Sequence, residues 1–225
     1  ASAVDIQGLI GGTNAIGTLT INDRAADTGD ITLTGIGDSA GLGATTTAIG
    51  NAKTAGTVTL AGDDYHTGAA TYTGGSFSIT GTDPEFKTTD LAIEFAAADS
   101  TGGDVTLADA ADLSVATGTG SITFGGDILG TDNGVATDVV LDSSGTVSVK
   151  SIGANGSTAD GNINDVTIDG STITLNGTIS TAVLGGTGAT KATDLGVVDI
   201  NGNVALGGST TIDTSATGCL LYTSD

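Results

Sequence analysis

A five-residue pattern recurs along this chain and limits its fold more than any other feature: glycine, a polar residue, an apolar residue, Thr or Ser, and a second apolar residue. It reads Gly29-Asp30-Ile31-Thr32-Leu33, Gly56-Thr57-Val58-Thr59-Leu60, Gly75-Ser76-Phe77-Ser78-Ile79, Gly103-Asp104-Val105-Thr106-Leu107, Gly120-Ser121-Ile122-Thr123-Phe124 and Gly145-Thr146-Val147-Ser148-Val149. Alternation at period two puts the two apolar side chains on one face of a strand and the polar ones on the other. The starting glycines are spaced by 27, 19, 28, 17 and 25 residues, a mean of 23. Looser copies follow at 165–168, 172–175, 198–200 and 203–206. Similar strands returning at a similar spacing are the signature of a coiled repeat, in which each turn of chain stacks on the one before.

Between the strands stand Asn133-Gly134, Asn155-Gly156, Asp160-Gly161, Asp169-Gly170, Asn176-Gly177 and Asn201-Gly202. These dipeptides tolerate the backbone of tight turns. In a β-sandwich they would close hairpins between antiparallel strands; in a parallel β-helix they would turn corners between the faces of one coil. The recurrence favours the β-helix, with the β-sandwich as the alternative. At 23 residues per coil, the chain would make roughly nine or ten coils, a rod on the order of 45 Å long. Small Val, Ile, Leu and Ala are expected to fill its narrow interior without large aromatics. The one segment that hints at a helix, Leu91 to Ala98, reads equally well as a strand, so the chain is expected to be all-β.

Composition removes several functions. Of 225 residues, 26 are acidic and five are Lys or Arg, a formal charge of −21, and only two of the acids, Glu85 and Glu94, are Glu. With no basic patch to neutralise phosphates, nucleic acid is not an expected partner. No apolar run approaches the roughly 18 residues of a membrane-spanning helix, so membrane insertion is not expected. The single cysteine allows no internal disulfide framework. A 38% hydrophobic content placed in alternating runs argues against disorder. Residues 1–218 are read as one repetitive solenoid segment. Residues 219–225 bring the lone Cys219 and the pair Leu220-Leu221, break the pattern, and are expected to be an atypical, poorly packed and non-native tail.

The runs Ile10-Gly11-Gly12-Thr13-Asn14-Ala15-Ile16-Gly17-Thr18-Leu19-Thr20-Ile21 and Gly120-Ser121-Ile122-Thr123-Phe124-Gly125-Gly126-Asp127-Ile128 resemble the tandem segments of filamentous-haemagglutinin-like, β-strand-repeat bacterial surface exoproteins. The resemblance extends over nearly the whole chain. It implies a secreted, right-handed parallel β-helix serving as an adhesin, surface layer or extracellular fibre, found outside the cell or on its surface. Partners would be neighbouring repeats or other copies joined end to end, and host or biofilm surface glycans.

Catalysis is weakly signalled. Gly37-Asp38-Ser39-Ala40-Gly41 satisfies the G-x-S-x-G pattern of serine hydrolases, and the only histidine, His66, follows Asp63 and Asp64. The chain after Ser39 is too rich in Gly and Thr for the helix such a nucleophile needs, so Ser39 and His66 are expected on exposed turns, with no catalytic residue. Asp83-Pro84-Glu85 could serve a polysaccharide-acting enzyme, but Arg24, Lys53, Lys87, Lys150 and Lys191 are scattered and no cationic cluster accompanies the acids. Loop oxygens suit calcium. The candidate positions are Asp127, Asp132 and Asn133, or Asp63 and Asp64; no other cofactor is expected.

Overall fold

The computed structural model describes residues 3–21, 29–38, 43–53, 56–98, 102–130, 137–153, 163–181 and 196–214, together with the backbone of 221–223. Among them there is no helix, and every strand pairing is parallel. The chain is a β-solenoid, and the sandwich alternative falls with the absence of antiparallel pairs.

Three columns of strands run along the stack. On the first face a six-stranded sheet passes through Val4–Ile6, Ile31–Leu33, Thr57–Leu60, Ser76–Ile79, Asp104–Leu107 and Ile128–Gly130. Single bridges carry the column from Ile128 to Ile152 and Ile179, and Ile179 pairs with Ile212. The second face starts with the bridges of Ile10 to Ile36 and of Ile36 to Tyr65, then passes through Phe86, Val115, Leu141, Ile168 and Ile200. The third passes through Ile21, Ile49, Tyr72, Phe95 and Phe124, alongside Ile122, Val147, Ile173 and Val204.

Three long strands belong to two faces at once. Asp64–Gly74, Val166–Leu175 and Val198–Leu206 each pair first on the second face and then, past a corner, on the third. Asp169-Gly170 and Asn201-Gly202 sit at these corners, where the register shifts between Asp169 and Thr172. At Gly202, φ is +148° and an added Cβ would lie 1.8 Å from the Gly170 carbonyl oxygen, so only glycine lets successive corners stack this closely.

The first-face column steps by 27, 27, 19, 28, 23, 24, 27 and 33 residues between Val4 and Ile212, a mean of 26. The sequence-derived mean of 23 is thereby corrected. It mixed two faces: the motifs at 29, 56, 75 and 103 lie on the first face, whereas those at 120 and 145 lie on the third. One strand pattern serves both because each face needs the same inward pair of apolar residues.

The interior also corrects the expectation of a core without aromatics. Tyr65, Tyr72, Phe77, Phe86, Phe95 and Phe124 are all buried and touch one another. Tyr72 stacks on Phe95 and Phe95 on Phe124 at 5.1 and 4.7 Å, while Tyr65 stacks on Phe86 at 4.5 Å. Those separations approximate the spacing of paired strands, about 4.8 Å, so equivalent rings in consecutive coils meet face to face. The Tyr65 hydroxyl accepts from the Gly62 N–H and donates to the Leu33 carbonyl. Burial raises the phenol pKa of both Tyr65 and Tyr72.

Aspartate ties coil to coil. Oδ1 of Asp30 accepts the Thr57 N–H at 2.9 Å, that of Asp104 accepts from Asp127 at 2.9 Å, and that of Asp127 accepts from Ser151 at 3.0 Å. At the entrance to the second face, Asp112 accepts from Asp138, Asp138 from Asp165, and Asp165 from Val197, at 3.0, 3.0 and 2.7 Å. In each case the carboxylate serves the backbone of the following coil.

Leu221–Thr223 extend the second-face ladder beside Val198–Ile200. Their side chains and residues 219, 220, 224 and 225, which carry the tail expectation, lie outside the described residues.

Replacing Phe95, which touches Tyr72, Phe77, Phe86 and Phe124, by Ala is expected to cost about 3–5 kcal/mol in denaturant unfolding. A cost below about 1 kcal/mol would place the ring outside the core. In a Cys219→Ser background, Thr32→Cys with Thr59→Cys should form an intramolecular disulfide on mild oxidation, since the two positions are register partners. Thr32→Cys with Ser78→Cys, two rungs apart, should not.

Candidate functional site

The corner between the second and third faces carries a surface cavity of about 250 Å³. Its wall includes Ala44, Thr45, His66, Thr67, Lys87 and Thr88. Two strands position the polar groups. Asp64–Gly74 and Glu85–Lys87 pair in parallel with Asp64 opposite Glu85, Tyr65 opposite Phe86 and His66 opposite Lys87. Tyr65 and Phe86 turn inward, so alternation turns His66, Glu85 and Lys87 to the outer side.

His66 is nevertheless only 8% exposed, which corrects its placement on an exposed turn. It lies inside a strand, and the preceding coil closes over its backbone. The His66 N–H donates to the Ile36 carbonyl at 2.6 Å, and its own carbonyl packs against Gly37 and Gly43. At Gly43, φ is +91° and an added Cβ would lie 2.0 Å from the His66 oxygen, so this closure requires glycine. A buried hydroxyl pair, Thr47 and Thr67 at 2.7 Å, fixes the floor beside it, with Thr67 also donating to the Ala44 carbonyl at 3.0 Å.

Glu85 joins the two basic residues. Its Oε2 is 2.7 Å from His66 Nε2, and its Oε1 accepts from Lys87 Nζ at 3.3 Å. Burial pushes the Glu85 pKa up, but the hydrogen bonds from His66 and Lys87 and their charges outweigh it and leave the carboxyl below its ordinary range. Glu85 is therefore ionised at neutral pH, and Nε2 carries the proton of the short contact. The other ring nitrogen, Nδ1, is buried with no hydrogen-bond partner among the described residues.

The predicted site residues scatter. His66 pairs with Glu85 rather than with Asp63 or Asp64. Ser39, Arg24 and Lys191 lie outside the described residues, as do Asp132 and Asn133. Asp63 and Asp127 each hold the next coil: Asp63 Oδ1 accepts the Asp83 N–H at 3.1 Å, and Asp127 Oδ1 accepts from Ser151. Asp64 faces Glu85 across the strand pair. Among the described residues no three His, Cys, Asp or Glu side chains converge as metal ligands would. Asp83-Pro84-Glu85, weighed as the carboxylates of a polysaccharide-acting enzyme, splits in role: the Asp83 N–H donates to Asp63, whereas Glu85 bonds His66 and Lys87, two residues that line the cavity. No family model, curated protein or solved structure matches the chain.

Because the folded Glu85 pKa lies below its ordinary value of 4.5, the ionised carboxylate contributes stability that is present above about pH 4.5 and fades as pH falls through the folded value. Glu85→Gln should lower the Tm at about pH 7 by about 2–4 °C, corresponding to about 1 kcal/mol after solvent screening, and the difference should shrink as the pH falls below the ordinary value. An unchanged difference between neutral and acid pH, measured by thermal melts, would remove the charge interaction from the account.

Proposed function

We propose that this chain is a non-enzymatic structural or adhesive segment of a large secreted bacterial surface protein or extracellular filament. The observation that carries the reading is the continuous parallel column from Val4 to Ile212, held at each step by main-chain hydrogen bonds and at three of its steps by an aspartate of the preceding coil, Asp30, Asp104 or Asp127. Such a stack transmits its own register: each coil presents the next with the same row of backbone groups, so length is added by repetition without a new core design. Neighbouring repeats or other copies of the chain would continue the stack end to end. The dense negative charge suits an exposed, soluble surface that resists sideways association, and surface glycans are the proposed contacts.

A second reading, an enzyme acting on polysaccharide, is favoured by the pairing of Glu85 with His66, which lines the cavity. Against it stands the setting of that pair. Glu85 is committed to two basic residues and depressed in pKa, the opposite of the raised pKa a general acid needs.

The two readings separate on a panel of neutral and acidic polysaccharides incubated with the purified chain, with new reducing ends as the readout. The structural reading expects none above a protein-free control, together with an elongated particle in small-angle scattering. Release by the parent chain that disappears in Glu85→Gln would establish the enzyme.

A further inference from the structure

We propose that the third face of the solenoid is a surface that binds ice. The inference rests on that face alone and holds whether or not the chain serves as a spacer. Side chains alternate along a strand, so the residues between the inward ones point to solvent in columns set by the register. One outward column runs from Thr20 through Thr71 and Thr123 to Thr174 and Ala205, eight register partners in all. A second column, two residues earlier on each strand, includes Thr18, Thr46, Thr146 and Thr172.

Charge is nearly absent from both columns. The chain has 26 acids and five Lys or Arg, yet Glu94 is the single charged side chain in either column. The other two faces present acids outward, Asp104 on the first and Asp142 and Asp169 on the second. The threonine hydroxyls are also uncommitted. Thr18, Thr20, Thr46, Thr146 and Thr172 are exposed and make no side-chain hydrogen bond among the described residues, whereas Thr57 and Ser76 on the first face pair hydroxyl to hydroxyl.

This leaves a regular grid of hydroxyl and methyl groups. Rungs stand about 4.8 Å apart, and outward residues on one strand about 6.6 Å apart. The rung spacing is close to the oxygen repeat along the a axis of hexagonal ice. A hydroxyl donates and accepts, as each lattice water does. The backbone ladders already fix the grid, so little conformational entropy remains to be lost when a lattice forms against it. A charge would interrupt such a lattice by holding its own hydration shell. A protein or small-molecule partner would call for aromatic or Arg anchors or for a pocket, and the columns contain no aromatic, Arg or Lys.

The test is ice adsorption by the full chain, read as thermal hysteresis and as the share of protein taken into a slowly growing ice crystal. The parent should show hysteresis above a protein-free control and should be enriched in the ice. Thr146→Lys, in an exposed column position, should abolish both, while its circular dichroism and Tm stay those of the parent. Thr106→Lys, on the first face, should retain both. Glu94→Thr, which removes the one charge from the columns, should raise the hysteresis. Absence of hysteresis in the parent, equal hysteresis in Thr146→Lys, or no rise in Glu94→Thr would overturn the proposal. A concentration-dependent dimer that Thr146→Lys breaks, with no effect of the parent on ice, would also overturn it and give the face to a second copy of the chain.

Discussion

Every feature of this fold follows from one constraint: consecutive coils pair through parallel backbone hydrogen bonds at about 4.8 Å, so whatever stands at a position in one coil meets its equivalent in the next. For inward positions this is favourable. Tyr65 and Phe86, or Tyr72, Phe95 and Phe124, become ring stacks because their register partners are also aromatic. Aliphatic columns such as Val115, Leu141 and Ile168 do the same with less bulk. For outward positions the same rule repeats like charges, and the chain must manage them.

It manages them by giving carboxylates a backbone partner. Aspartate is the acid of choice because its short side chain reaches an amide one rung away while its own backbone stays in the ladder. Glutamate would overshoot. The arrangement has an internal tension at the entrance to the second face, where Asp83, Asp112, Asp138 and Asp165 follow one another. Burial raises the Asp112 pKa and the charges of Asp138 and Asp83 add to it, while the hydrogen bond from the Asp138 N–H works the other way. The folded state thus binds the Asp112 proton more tightly than the unfolded chain, and mild acid relieves this site as it weakens the one at Glu85. Amide capping and carboxylate repulsion are two sides of the same stacked column.

Much of the architecture was legible in the residues. The alternation of Gly103 to Leu107 places Val105 inward, and that of Gly120 to Phe124 does the same for Ile122; both side chains are fully buried. Asp169-Gly170 and Asn201-Gly202 were readable as corners. The aromatic core was not, because register partners such as Tyr65 and Phe86 or Phe95 and Phe124 lie at unequal separations along the chain, set by loops of variable length. The cavity was also missed. His66 reads as a polar residue beside two aspartates, and its burial comes from Gly37 and Gly43 of the preceding coil. The available signal was the pair Glu85 and Lys87, two residues apart on a strand and therefore on one face, in a chain with only two Glu and five Lys or Arg.

The central claim is that aspartate carboxylates lock each coil to the backbone of the next. Asp138 tests it most directly, since its Oδ1 accepts both the Asp165 N–H and the Asn164 side-chain amide, at 3.0 and 3.1 Å. Equilibrium denaturant unfolding should find Asp138→Asn, which keeps that acceptor and removes the charge, within about 0.5 kcal/mol of the parent or more stable. Asp138→Ala, which strands two donors, should lose about 1–2 kcal/mol. Equal stability of the Ala and Asn variants would contradict the claim and leave the aspartates as solvated charge alone.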